Sequence, residues 1–145
     1  MGFSKAIIAI RGNYIDKLEK VAEVFNYMED LDIINEFSHH AKLENGWTIL
    51  RDEEMVFVVE DDLLSELSEE LETEIFTFTI QSTSATYGFS SFNEGKNRIF
   101  LVQDGEIIEN FGDKMEVEMN LNIDENASIE DILNIAKAFK IELED

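Results

Sequence analysis

Hydrophobic and polar positions follow two different periods along this chain, and each change of period marks the end of one predicted element. Residues 5–10 form a short apolar run that Arg11, Gly12 and Asn13 close. Such a run is typical of a strand that is buried on both faces and followed by a turn. Apolar residues then recur at helical spacing up to Phe25, which predicts a first helix with Asn13 as its N-cap.

Residues 31–43 carry the most ambiguous pattern. Ile33, Ile34 and Phe37 fit a second helix, whereas residues 31–34 also fit a strand. A helix is the preferred interpretation for this segment.

Asn45-Gly46 is expected to stop that helix, because this dipeptide favours a turn. Beyond it, residues 47–51 and 55–59 predict two strands, joined by an acidic turn at residues 52–54.

A third helix is predicted over residues 62–72. Acidic residues at its start, Asp61 and Asp62, suit a helix N-terminus, where free N–H groups and the positive dipole end favour carboxylates. Leu64, Leu67 and Leu71 then form one apolar stripe. The glutamates between these leucines are expected to face water.

From Ile75 the period of the pattern changes to two, which predicts strands. Four consecutive strands follow up to Phe111, and Asp104-Gly105 is the two-residue turn of the last hairpin. These strands predict a four-strand antiparallel meander.

The Asp104-Gly105 turn sets a register for its hairpin. It places Val102 opposite Ile107 and Leu101 opposite Ile108. Both faces of the hairpin are then partly apolar, so helices or a second layer are expected to cover much of both.

A last helix is predicted from Ser128, which forms a capping-box-like pair with Asp131. The whole pattern therefore predicts a single α+β domain over residues 1–145. Its antiparallel sheet would contain the four-strand meander, at about residues 75–111, and the N-terminal strand, and three to four helices would pack on it.

The charge of the chain limits what it can bind. It carries 33 Asp and Glu against 11 Lys and Arg, a formal net charge of −22 at pH 7. Nucleic acids and anionic membranes would be repelled by such a surface, whereas a basic protein, a cationic ligand or a divalent metal would be attracted. With 44% hydrophobic residues, the chain has the apolar area that disordered acidic segments lack.

The absence of cysteine excludes disulfides, thiol nucleophiles and Cys-based metal sites. The apolar run near the N-terminus is too short for a signal peptide, and no segment approaches the roughly 18 apolar residues of a membrane span. A cytoplasmic location is therefore expected.

Motifs for catalysis or metal binding are weak. His39 and His40 are adjacent and would diverge on a helix, so a surface or packed role is preferred to a metal or proton-transfer role. Oxygen-bearing side chains alternate from Asn120 to Asn126 as in a calcium loop, but the glycine and glutamate of such loops are missing. No glycine-rich phosphate loop or nucleophile elbow is present. We therefore predict no catalytic residue, cofactor or metal.

The most specific charge feature is residues 52–95, which contain twelve Asp and Glu and no Lys or Arg. Such a segment is either a solvated face or a docking surface for a basic protein. Trp47 precedes it and fits a core anchor, the preferred role, or an interface hot spot. The predicted partner-binding residues are Trp47, Asp52, Glu53, Glu54, Glu66, Glu69, Glu70 and Glu72.

Residues 67–112 also carry a pattern of short motifs. The motifs are Leu67-Ser68 before a strand, Tyr87-Gly88-Phe89, Gly95 with Arg98, Asp104-Gly105-Glu106, and Phe111-Gly112. The pattern resembles small uncharacterised bacterial proteins, several of which are similar in size and acidity to immunity proteins of bacterial toxin systems. The resemblance implies a bacterial cytosolic binding protein and carries no catalytic residue.

These observations favour a non-enzymatic, acidic protein-binding domain, most concretely an immunity-type inhibitor of a basic toxin. The alternative is a small-molecule or metal-binding domain, enzymatic or not, with its site between the sheet and a helix. A DNA-mimicking inhibitor is a third hypothesis, and it would need carboxylates in paired rows.

Overall fold

The computed structural model describes residues 4–14, 16, 41–51, 61–93, 96–121 and 123–141. Its strands are β1 (Ser4–Arg11), β2 (Lys42–Glu44), β3 (Trp47–Arg51), β4 (Ile75–Gln81), β5 (Thr86–Asn93), β6 (Lys96–Gln103) and β7 (Glu106–Phe111). Its helices are α1 (Asp61–Leu71) and α2 (Ile129–Ala138), with short 3₁₀ turns at Ser82–Ser84 and Glu116–Asn120. The seven strands form one antiparallel sheet in the order β2-β3-β1-β4-β5-β6-β7.

The apolar run at residues 5–10 lies inside the sheet as β1. This strand pairs with β3 on one side and β4 on the other, with Ile8 opposite both Leu50 and Thr77. Residues 6–10 are buried on both faces of the sheet, which explains why the run shows no polar alternation.

Each face of the sheet is covered by one of the two described helices. The α1 face packs Ala6, Ile8, Ile10, Leu50, Ile75 and Phe92 against Leu63, Leu64 and Leu67. The α2 face packs Ile7, Ala9, Trp47, Ile49, Phe76, Phe78, Ile80, Phe89, Phe100 and Val102 against apolar residues of the chain from Ile123 to Ile141. The central strands are therefore sandwiched between two apolar layers.

The predicted fold class is wrong. A four-strand meander with one N-terminal strand under three to four helices was expected, whereas the sheet has seven strands and the described residues contain two α-helices. The described part of the chain is mostly β. The predicted helix at residues 13–25 lies outside the described residues except for Asn13, Tyr14 and Asp16, and so does the predicted strand at residues 55–59.

The clearest source of this error is Asn45-Gly46. Instead of stopping a helix, these residues form the turn of a hairpin in which Glu44 pairs with Trp47. Both have positive φ, 51° and 86°, as a two-residue type I′ turn requires. The strand β2 therefore occupies the end of the segment predicted as a helix over residues 31–43, of which residues 31–40 lie outside the described part.

The register of the β6–β7 hairpin was predicted only in part. Val102 lies opposite Ile107, which confirms the first predicted pair. Leu101 lies opposite Glu109 rather than Ile108, because a β-bulge adds one residue to β7. The expected cover over both faces is also wrong at β7, where Ile107 and Ile108 are exposed.

Candidate interaction site

Helix α1 is held on the sheet by its leucine stripe and by one serine. Leu64 and Leu67 are fully buried against the sheet. The buried hydroxyl of Ser68 is shared between the carbonyl oxygens of Thr73 and Phe92, at 2.7 and 3.0 Å. These contacts fix the rotation of α1 about its axis, so its opposite side faces solvent.

Four of the predicted partner-binding residues lie together on that solvent side. Glu66, Glu69 and Glu70 are spaced three and four residues apart on α1 and are exposed, and exposed Glu72 directly follows the helix. Residues at these spacings are neighbours on a helix surface. We call these four glutamates the acidic face.

The acidic face occupies the end of α1 that is least favourable for negative charge. Helix carbonyls give the C-terminus a negative partial charge, which favours Lys or Arg there. The last turn of α1 has no basic residue, and it carries Glu69 and Glu70. Among the described residues, no ion pair neutralises them.

Glu72 occupies a position where helices usually place glycine. Its φ is 54°, and the Glu72 and Thr73 amides donate to the carbonyls of Glu69 and Ser68. This is the Schellman pattern, in which the residue with positive φ is most often glycine. A glutamate here therefore adds charge where the backbone would favour a residue without a side chain.

Trp47, the remaining predicted interface residue that the structure describes, lies in the core. Only 5% of it is exposed, and its indole Nε1 donates to the carbonyl of Phe139 at 2.8 Å. Its ring meets Phe76 edge-on, with centroids 5.6 Å apart. Of the two roles considered, the structure places Trp47 in the core anchor role, where it joins β3 to the end of α2.

Several predicted residues fall outside the described part of the chain. They are Asp52, Glu53 and Glu54 of the acidic turn, and His39 and His40. In the calcium-like segment, Asp124 Oδ1 accepts a hydrogen bond from the Asn126 amide at 2.8 Å, as in an Asx turn. This contact agrees with the loop interpretation of that segment.

No group of three or more His, Cys, Asp or Glu within the described residues is placed to hold a metal ion. No helix among them is long and apolar enough to cross a membrane.

A buried ion pair on the α2 face was not predicted. Arg98 on β6 and Glu118 in the second 3₁₀ turn have side chains only 4% and 0% exposed, and Arg98 Nη2 lies 2.8 Å from Glu118 Oε1. The Arg98 Nε donates to Glu118 Oε2 at 3.0 Å, so the contact is bidentate. Arg98 alternates with Phe100 and Val102 along β6, and this spacing was the available sign that its side chain enters the core.

Further hydrogen bonds hold both members of this pair. Arg98 Nη1 donates to Asn110 Oδ1 at 2.6 Å and to the Phe111 carbonyl at 3.1 Å, and Glu118 accepts the Met115 amide at 2.7 Å. The guanidinium also lies near the ring of Phe89, 5.7 Å from its centroid. Such a hydrogen-bonded pair is typical of a structural contact, and this one fixes the segment between β7 and α2 onto the sheet.

A surface depression of about 440 Å³ lies where two turns meet at one end of the sheet. It is lined by Thr83, Ser84, Ala85, Gln103, Asp104, Glu106 and Ile108. The small-molecule alternative predicts a site between the sheet and a helix, whereas this depression lies at the turns.

Comparisons with protein-family models, with curated proteins and with solved structures find no match. The function of this chain is therefore inferred from its surface geometry and charge.

Proposed function

We propose that this chain is a non-enzymatic protein-binding domain whose acidic face engages a basic protein. In its most specific form, the chain is an immunity-type inhibitor that covers the basic active site of a bacterial toxin in the cytoplasm. The observation that supports the proposal is the concentration of glutamates at the C-terminal end of α1, in a last turn that has no basic residue.

The energetics of α1 favour a docking surface over a merely solvated face. Negative charge near a helix C-terminus is unfavourable by about 0.3–1 kcal/mol per residue, and like charges four residues apart add repulsion. Glu66 and Glu70 form such a pair. Basic residues in that turn would also keep the surface charged, and they would stabilise the helix instead of opposing its dipole. A basic partner would relieve this repulsion on binding.

The net charge of the chain supports the same class of partner. At −22, its field would accelerate encounter with a basic protein and repel nucleic acids and anionic membranes. Contacts made by exposed carboxylates weaken as salt screens them. Binding through the acidic face is therefore expected to be fast at low salt and weaker at high salt.

Charge reversal on the acidic face is expected to abolish capture of the partner. A tagged variant with Glu66→Lys, Glu69→Lys and Glu70→Lys would be compared with wild type in a pull-down from lysate, washed at low and then at high salt. Wild type should retain a basic protein at low salt, and mass spectrometry would identify this protein. The variant should not retain it.

The matched control for this pull-down carries Asp113→Lys, Glu125→Lys and Glu130→Lys, three exposed acids outside α1. Each triple variant changes the formal charge from −22 to −16, since each substitution adds two units. Retention of the partner by the control but not by the α1 variant would support the acidic face. Equal retention by both variants, or equal loss from both, would contradict it.

The same surface predicts a gain in stability when its charge is reversed. The double variant Glu69→Lys and Glu70→Lys should raise the free energy of unfolding by about 1 kcal/mol, because lysines complement the helix C-terminus. Urea denaturation followed by Trp47 fluorescence would measure it. Glu130→Lys, in the first turn of α2, is the control and should lower stability instead. A destabilised double variant would remove the energetic argument for a functional face.

A further inference from the structure

Strand β7 forms one edge of the sheet and exposes three large apolar side chains to solvent. The opposite edge, β2, has three residues, whereas β7 has six. Ile107, Ile108 and Phe111 are 41%, 54% and 57% exposed. Natural proteins usually keep edge strands short, charged or covered, because a free edge pairs with other strands. A long apolar edge is therefore a candidate site for strand addition.

The charges on β7 determine which strand this edge can accept. Glu106 and Glu109 lie on it, and within the described residues neither makes an ion pair. A second copy of the chain would bring the same carboxylates and a net charge of −22 to the contact. Like charges facing across strands are destabilising, whereas opposite charges are favourable. The edge thus disfavours self-pairing and favours a strand that carries Lys or Arg.

The surface depression lies at one end of this edge and is suited to a basic side chain. Two of its lining residues, Asp104 and Glu106, carry carboxylates, and Ile108, exposed next to the bulge, adds an apolar wall. Its volume, about 440 Å³, falls within the range of about 300–1,000 Å³ for small-molecule pockets, so it has room for a Lys or Arg side chain.

The walls of this depression are held in place by hydrogen bonds. The Asp104 amide donates to the Ala85 carbonyl at 3.0 Å, which ties the β6–β7 hairpin to the β4–β5 turn. The Ser84 hydroxyl contacts Gln81 Oε1 and Thr86 Oγ1, both at 2.8 Å. A preformed pocket costs less ordering when a ligand binds.

We propose that β7 accepts an extended segment of a basic protein as an additional strand, with a Lys or Arg of that segment in the depression. Main-chain hydrogen bonds to the edge would supply affinity, and the pocket and the glutamates would supply specificity. The inference rests on the proposed function for the basic nature of the partner, but it places a contact on a different surface from the acidic face.

The test uses a short peptide that alternates Lys and Val, added to isotope-labelled protein at low salt and followed by amide chemical shifts. We expect the largest shifts in β7 and around the depression. A peptide alternating Glu and Val should not bind. The Lys-Val peptide with N-methylated backbone amides keeps its charge and its lysine donors but cannot donate main-chain hydrogen bonds, so it should bind at least about tenfold more weakly.

Two charge-matched variants test whether the binding is specific to β7. Glu106→Lys with Glu109→Lys should weaken binding of the Lys-Val peptide about tenfold, whereas Glu125→Lys with Glu130→Lys, two exposed acids outside both α1 and β7, should leave it nearly unchanged. Equal weakening in both variants, equal affinity of the N-methylated peptide, or no binding would overturn strand addition. The pull-down test of the acidic face uses variants in which β7 is unaltered. None of the results with the peptide therefore decides the outcome of that test.

Discussion

Replacing Glu118 with alanine is expected to lower the free energy of unfolding by about 3–5 kcal/mol. The substitution would leave the Arg98 guanidinium, whose side chain is 4% exposed, buried without its carboxylate. It would also leave the Met115 amide without its acceptor. Since domains are stable by about 5–15 kcal/mol in total, a loss of this size is a large fraction of the stability. Urea denaturation followed by Trp47 fluorescence would measure it.

Two further variants identify the cause of that loss. Glu118→Gln keeps the shape and one oxygen acceptor, but it removes the charge and sets an NH₂ group against N–H donors of Arg98 or Met115. It should therefore cost nearly as much as Glu118→Ala, about 3 kcal/mol. Arg98→Met with Glu118→Leu removes both charges, and should cost less than Glu118→Ala because no buried charge is left unpaired. A loss below about 1 kcal/mol for Glu118→Ala would show that the pair does not clamp the segment between β7 and α2.

Substituting Gly112 with alanine is expected to destabilise the fold by about 3–4 kcal/mol, through backbone strain and a steric clash together. Gly112 follows β7 with a φ of 87°, a region that residues with side chains rarely adopt. An added Cβ would lie 2.1 Å from the carbonyl oxygen of Asn97. That atom belongs to the backbone of β6, so it cannot move without disturbing the strand.

Gly46 provides a matched control for the Gly112 substitution. Its φ is 86°, almost the same as that of Gly112, but an added Cβ would meet no atom within 4 Å. Gly46→Ala should therefore cost only the backbone term, about 1–2 kcal/mol. Thermal or urea unfolding of the two variants compares them directly. Equal losses would show that the contact with Asn97 has no energetic weight.

The hairpin turns show how local chemistry leads to a correct or an incorrect prediction. At Asp104-Gly105, a predicted strand on each side of the dipeptide made a hairpin the clear interpretation, and the pair Val102–Ile107 was correct. At Asn45-Gly46 the same kind of dipeptide was interpreted as a helix stop. The strand before it has only three residues, which is too short to show a period.

The bulge in β7 was beyond prediction from local pattern. Residues 106–111 alternate too weakly to show where an extra residue enters the strand, and a one-residue shift changes the partner of every residue after it. This shift moved the partner of Leu101 from Ile108 to Glu109. The exposure of Ile108 at the depression follows from the bulge and from the edge position of β7.

The candidate site was likewise predicted in one part and left undecided in another. The leucine stripe alone predicted which side of α1 faces solvent, and Glu66, Glu69 and Glu70 are exposed there. The sequence favoured a core role for Trp47 over an interface role but did not decide between them, because an aromatic residue beside a charged segment fits both. Its burial depends on the Phe139 carbonyl, which lies ninety-two positions further along the chain.

The sequence by itself determined the features that depend on near neighbours along the chain. These are the buried strand β1, the orientation of α1, the Ser128–Asp131 contact at the start of α2, and the net charge of −22. Only the tertiary structure decided the sheet order, the pairing of Arg98 with Glu118, and the exposure of β7 as an edge. The physical reason is that periodicity and turn chemistry are local, whereas burial and pairing depend on which distant segments meet.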